Sequence, residues 1–504
     1  MNPVTIYVVA SALGLGATAL PAQETNQSNQ SNQIQQLQQQ IRQLQATIEQ
    51  TEQQHRQQLE ALRKQVEALQ QTHPPAAPGA WPATPEPAAP GGTAPTGSAP
   101  AAAPPAAEKK GWSPADPIQI GSGRAYMNIG LVGTFAAGGS TAHGIEGGTQ
   151  LGGHDPNQNG FTVQGIEANF AGAVDPYFRG NANVVYEIDS RGESFLELEE
   201  AWLETVSLPA NLQVRAGQFL TDFGRINTQH PHSWTFVDSP LASGRFLGPD
   251  GLRNPGARLS WLAPLPFYSE LFLAVQNSQG ETAYSFRNDN KGEPMFGRPL
   301  SQDTGNSLNG LLLAPRYAAS FDLSDTQTLL AGVSAAFGPN GSGTDTDTQI
   351  YGADLFWKWK PARHHGGFPF VSWQTEAMLR RYQAGATAAG SYAPGASGVY
   401  LPGETLTDWG LYSQIAWGFR KDWVAALRGD YVLPVDKAAY EWILGDDPNR
   451  LPRWRFSPNL TWYLSEFSKL RLQYNYDDRQ QLGIDHSVWL QFEFSLGAHA
   501  AHKF

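Results

Sequence analysis

The chain closes on His486–Phe504, HSVWLQFEFSLGAHAAHKF, and the first part of this stretch decides how the rest is read. Val488, Leu490, Phe492, Phe494 and Leu496 share one parity, while Gln491, Glu493 and Ser495 share the other. Trp489 alone breaks the pattern. Period-two alternation makes a β-strand with one apolar and one polar face. A soluble sandwich edge and the closing strand of a membrane barrel both satisfy it. The choice therefore turns on whether the chain repeats it.

The chain repeats it. Leu470, Leu472, Tyr474 and Tyr476 alternate with Lys469, Arg471, Gln473 and Asn475. Trp454, Phe456, Leu460 and Trp462 alternate with Arg453, Arg455, Asn459 and Thr461. Tyr351, Leu355, Trp357 and Trp359 oppose Asp354 and Lys358. Short links at Asp175–Tyr177, Pro209–Asn211, Pro264–Pro266, Lys421–Asp422 and Glu466–Phe467 are interleaved with long polar links at 138–160, 221–256, 277–308, 383–405 and 434–452. Short turns on one side and long loops on the other are the organisation of bacterial outer-membrane barrels. The fold class expected is all-β: a transmembrane antiparallel β-barrel of about 16 strands over residues 112–504. GAHAAHKF reads as a short periplasmic tail.

Upstream, residues 1–22 read as a signal peptide, an apolar run with a small-residue exit but no basic start. Residues 33–71 carry Ile34, Leu37, Ile41, Leu44 and Ile48, then Leu59, Leu62, Val66 and Leu69, at 3-4 spacing with a stutter between the blocks. This predicts an N-terminal α-helical coiled coil that self-associates. Residues 72–111, rich in Pro and Ala, form an extended spacer. Beyond the N-terminus no apolar run approaches the roughly 18 residues of a helical span, which leaves β-spans open. The expected location is the bacterial outer membrane, in contact with its lipid, with the coiled coil in the periplasm.

The net charge of −12 argues against a nucleic-acid partner, and the absence of cysteine excludes disulfides and thiolate metal sites. No triad motif, P-loop or dinucleotide fingerprint is present, so neither an enzyme nor a cofactor is expected. On the polar strand faces Arg215, Arg258, Arg316, Arg380, Arg428, Arg455 and Arg471 are matched by Glu270, Glu376 and Glu493. Opposed charges on a pore wall set a transverse field; the blander reading is that they only keep a lumen wet. His230 and His232 have same-face spacing and are a weak metal candidate, short of the three or four ligands a zinc site takes.

The stretch Val214–Pro255 contains Arg-Ala-Gly-Gln-Phe, then Phe223-Gly224-Arg225, then a run ending Asp238-Ser239-Pro240. It resembles the phosphate-selective outer-membrane porin family, as does a coiled coil ahead of a sixteen-strand barrel. The resemblance implies a homotrimer in which the third long loop folds inward and narrows the pore. Link 221–256 fits that role, which makes Arg225, Arg245, Arg253, Asp222, Asp238 and Asp250 the constriction candidates. The family's anion selectivity suits this chain less well, because residues 111–504 are net acidic. The function expected is an outer-membrane porin for passive diffusion of small hydrophilic solutes or ions. The alternatives are a metal or siderophore receptor, which would carry a plug and about 22 strands, and an envelope tether whose coiled coil binds peptidoglycan or another envelope component.

Overall fold

The computed structural model describes residues 118–497, apart from Arg124, Val174, 289–293, 301–309, 390–398 and Pro448. The signal peptide, coiled coil, spacer and terminal tail lie outside the described residues.

Sixteen strands form one closed antiparallel barrel. They are β2 (Ala125–Ser140), β3 (Gly160–Ala173), β4 (Phe178–Ile188), β5 (Ser194–Thr205), β6 (Leu212–Leu220), β7 (Arg253–Leu262), β8 (Tyr268–Asn277) and β9 (Leu311–Ser324). There follow β10 (Gln327–Pro339), β11 (Asp347–Trp359), β12 (Phe370–Ala384), β15 (Glu404–Arg420), β16 (Trp423–Pro434), β17 (Arg453–Ser465), β18 (Ser468–Arg479) and β19 (Gly483–Leu496). A short hairpin, β13 (Thr387–Ala389) with β14 (Val399–Leu401), interrupts the order within one loop. The ring closes where β19 pairs with β2, from Ser487 opposite Ser140 to Leu496 opposite Leu131. Beyond that point β1 (Ile118–Ser122) continues along β2, with Ile118 opposite Ile129. Since β3 holds the other edge of β2, β1 and β19 lie end to end and share one edge.

The alternation maps directly onto the two faces. On β17, Trp454, Phe456, Leu460 and Trp462 point outward and are exposed, while Arg455, Ser457 and Thr461 point inward and are buried. The same exterior continues through Leu271, Leu273, Tyr317, Trp373, Ile415, Trp417 and Leu427. An apolar surface of this extent is stable against lipid, not water. Five of the longer loops, 141–159, 221–252, 278–310, 385–403 and 435–452, leave from one rim. That rim also carries the short connections 189–193, 340–346 and 480–482, so the long-loop rhythm is not kept at every hairpin. The opposite rim carries tight turns such as Lys421–Asp422, where Asp422 takes φ 67°.

The interior departs from a simple polar face. Loop 221–252 turns inward, and Phe223, Leu241, Ala242, Phe246 and Leu247 form a buried apolar cluster with the inward-facing Ala336, Ile350, Met378 and Val432 of the wall. Inward glycines make room for it. A Cβ on Gly352 would stand 2.8 Å from the Phe223 ring, and one on Gly410 would stand 2.9 Å from the Ala242 side chain. Trp489, the residue out of pattern, also faces inward and is fully buried against Ile145 and Val237 of the loops.

Candidate functional site

The candidate site is the lumen where loop 221–252 crosses it. Three sets of contacts fasten the loop to the wall. At its start, Gly224 N donates to Ser334 Oγ (3.0 Å) and Ile226 N to Glu376 Oε1 (2.7 Å), which also accepts the Tyr412 hydroxyl (2.5 Å). Midway, Asp238 is fully buried between Arg428 (2.7 Å) and Arg455 (2.9 Å) and accepts from Gln473 and Asn475 (2.9 Å each). Burial works to raise this carboxyl, but the two guanidinium groups overcome it and hold it below the ordinary value. Further on, Leu241 N opens the short helix Leu241–Phe246 by donating to Asp430 (3.0 Å), and the Arg245 carbonyl accepts from Arg380 (3.1 Å). Each anchor pairs a loop group with a wall side chain more than ninety residues away in sequence.

The wall is polarised around the ring. From β9 to β18 it carries Arg316, Arg380, Arg428, Arg455, Lys469 and Arg471. Their partners include Asp354 for Arg316 (2.6 Å), Asp408 for Arg380 (2.9 Å) and Glu493 for Lys469 (2.9 Å). From β3 to β5 it carries Glu167, Glu187, Glu197, Glu199, Glu200 and Glu204. Beneath the loop, toward the rim of tight turns, lies a cavity of about 470 Å³ lined by Arg225, Trp234, Lys358, Lys469, Arg471 and Glu493, among others. Four cations against one carboxylate give its named lining a positive balance.

The constriction candidates separate. Arg225 reaches the cavity, with its guanidinium 4.0 Å over the Phe356 ring and Nε donating to Gln374 (3.2 Å). Asp222 faces Arg258 at 3.3 Å. Arg245 instead donates to the Leu451 carbonyl (3.0 Å) near the long-loop rim, and Asp250 lies beside Gly153 of loop 141–159. Arg253 is the first residue of β7 rather than part of the loop, because pairing with Leu220 extends the strand; it is ion-paired with Glu197. Among the wall candidates, Arg215 and Arg258 share Glu204 (2.7 and 2.8 Å), Arg471 donates to Gln491 (2.6 Å), and Glu270 accepts from Tyr268 (2.8 Å). His230 and His232 do meet, with rings 5.7 Å apart, against the carboxylates of β3 and β5. Lys358 and Lys469 stood in alternating segments, but alternation marks an inward residue without ranking it.

What the exterior and interior together define is a porin-like transmembrane β-barrel. Among curated proteins, an uncharacterized protein of Aquifex aeolicus (strain VF5) is 30% identical over 385 residues, covering 70% of this chain and 73% of that one. The chain belongs to the family of that protein. No family model matches it. Among solved structures it is similar to the outer-membrane channel DcaP of Acinetobacter baumannii (12% identity, 74% of this chain and 98% of that one, TM-score 0.46). It is also similar to an anion-selective porin from Comamonas acidovorans (8%, 74% and 100%, TM-score 0.44) and to Salmonella typhi OmpF in complex with daunomycin (10%, 75% and 100%, TM-score 0.43).

Proposed function

We propose that the protein is a porin of the bacterial outer membrane, passing small hydrophilic solutes and ions passively through its lumen. The observation that carries this reading is the charged cavity under an inward loop, inside a wall that is apolar outside and ionic inside. The test is reconstitution of the purified full chain in planar bilayers. Stepwise conductance is expected, and a barrel that inserts without conducting sinks the reading.

The cationic lining favours anions at the cavity. Arg225→Ala removes one of its charges without breaking a salt bridge, so the reversal potential in a salt gradient should shift toward cations. An unchanged reversal potential would remove Arg225 from the permeation path.

Assembly as a homotrimer is part of the same proposal. On the exterior of β2–β6, Ala125, Gly172, Gly180, Ala182, Ala201 and Ala216 border a shallow groove between larger side chains such as Met127, Phe170 and Leu203. A face of small residues lets another barrel approach closely. Conductance in steps of three and a threefold mass in detergent are the expected readouts. The segment 33–71, placed in the periplasm by this reading, would tie the barrel to peptidoglycan or another envelope component.

A further inference from the structure

Three histidines and five carboxylates meet where loops 141–159 and 221–252 touch the acidic wall. His230 Nδ1 lies 2.8 Å from Glu199 Oε2 and 3.7 Å from Glu167 Oε1, and His232 Nδ1 lies 3.0 Å from Glu167 Oε2. Donors bound about 2.1 Å from a tetrahedral ion stand about 3.4 Å from one another, the middle of this range. The ligand atoms of Glu167, Glu199 and His230 all fall within 4.8 Å of one another. On its other side His230 Nε2 faces Asn183 (2.9 Å) and Glu200 (3.2 Å). An outer carboxylate on the second ring nitrogen is what orients a ligating imidazole and makes it a better donor.

Two further observations point into the same space. His154, from loop 141–159, has a side chain only 6% exposed; its Nδ1 lies against Glu187 (2.9 Å). Its Nε2 has no hydrogen-bond partner among the described residues and is directed at Glu199 Oε1, 3.7 Å away. Charge makes the second point. Glu167, Glu187, Glu199 and Glu200 are almost fully buried, and the guanidinium at hand, Arg253, is taken by Glu197. Carboxylates this close and this dry require compensating positive charge, which protonated imidazoles or a bound cation supply.

We propose that this cluster is a binding site for a first-row divalent metal ion of the Zn²⁺ type. Glu167, Glu199, His230 and His232 are its donors, and His154 stands on the far side of Glu199. Imidazole with carboxylate suits Zn²⁺, Co²⁺ or Ni²⁺, whereas Ca²⁺ and Mg²⁺ prefer all-oxygen sets. Glu167 and Glu199 come from β3 and β5, and both donor histidines come from the inward loop, so a bound ion staples the loop to the acidic wall. These residues are distinct from the Asp238 anchor on β16 to β18, and the site does not depend on the channel reading.

The full-length protein, folded in detergent and stripped with EDTA, should be titrated with Zn²⁺ by calorimetry and with Co²⁺ by visible absorption. Saturable binding of one ion per chain is expected, with the intense absorption of low-coordinate Co²⁺. Glu199→Gln, nearly isosteric, and His230→Ala each remove a donor and should weaken it by at least the roughly 10–100-fold that loss of an outer-shell partner costs, while His364→Ala with His365→Ala should leave it unchanged. Folding of each variant is read from heat-modifiable migration. No saturable binding by the wild-type barrel overturns the site and leaves imidazolium–carboxylate pairs as the fastening; so does binding that survives both substitutions in folded protein. A barrel that binds Zn²⁺ but does not conduct would instead sink the channel and keep the site.

Discussion

Replacing Asp238 with alanine is expected to undock the loop that crosses the lumen and to raise single-channel conductance. Asp238 is fully buried, faces two guanidinium groups and accepts two side-chain amides. Its loss leaves Arg428 and Arg455 less neutralised; removing one partner of a buried pair typically costs about 3–5 kcal/mol. The strands keep their own ladder, so the loss falls on the loop's attachment and not on the barrel. Gly410→Leu is the check that leaves the charges intact. Its side chain would enter the space held by Ala242 and Phe246, lift the short helix, and give the same direction of change. If both variants fold and conduct like the wild type, the loop does not limit the pore.

Leu460→Arg should be the most damaging change on the outer face. Leu460 lies in the middle of β17, between Ala425 of β16 and Leu472 of β18, and is 41% exposed. A cationic side chain near the bilayer midplane of such a barrel costs roughly 2–4 kcal/mol. The expected outcome is a lower folding yield and a shifted denaturant midpoint in lipid vesicles, with Leu460→Ala affected less. Equal stability of Leu460→Arg and wild type in vesicles would mean that this face does not meet lipid.

The strands were legible because their signal is local. Each needs only its own residues to alternate, so strands such as β11, β17, β18 and β19 could be read from neighbours two apart. The interior was not legible, because its partners are distant and its pattern is broken by design of the loop. Ala336, Ile350, Met378 and Val432 sit on the face that should be polar, and they are apolar because Phe223, Leu241 and Phe246 cover them. Trp489 broke the alternation for the same reason. The histidine pair at 230 and 232 was visible in sequence, but Glu167 and Glu199, which give it meaning, lie on other strands. Among the charged loop residues nothing local distinguishes Arg225, which reaches the cavity, from Arg245, which ties loop to loop. Only the docked position of the loop does.

The shared edge of β2 also sets the order of events in making the molecule. His486 N donates to Thr141 Oγ1 across 345 residues of sequence, so the seam needs β2 and the last strand at once. Closing so long a loop is cheap at equilibrium, since each doubling of length adds only about 0.6 kcal/mol. It is slow in time, because distant partners must find each other before their bonds repay the search. Until then β2 and the most recently added strand both present unpaired edges, which invite pairing with other chains. The unfinished barrel is thus the molecule's most vulnerable state, and its two open edges must be shielded from other chains until its ends meet.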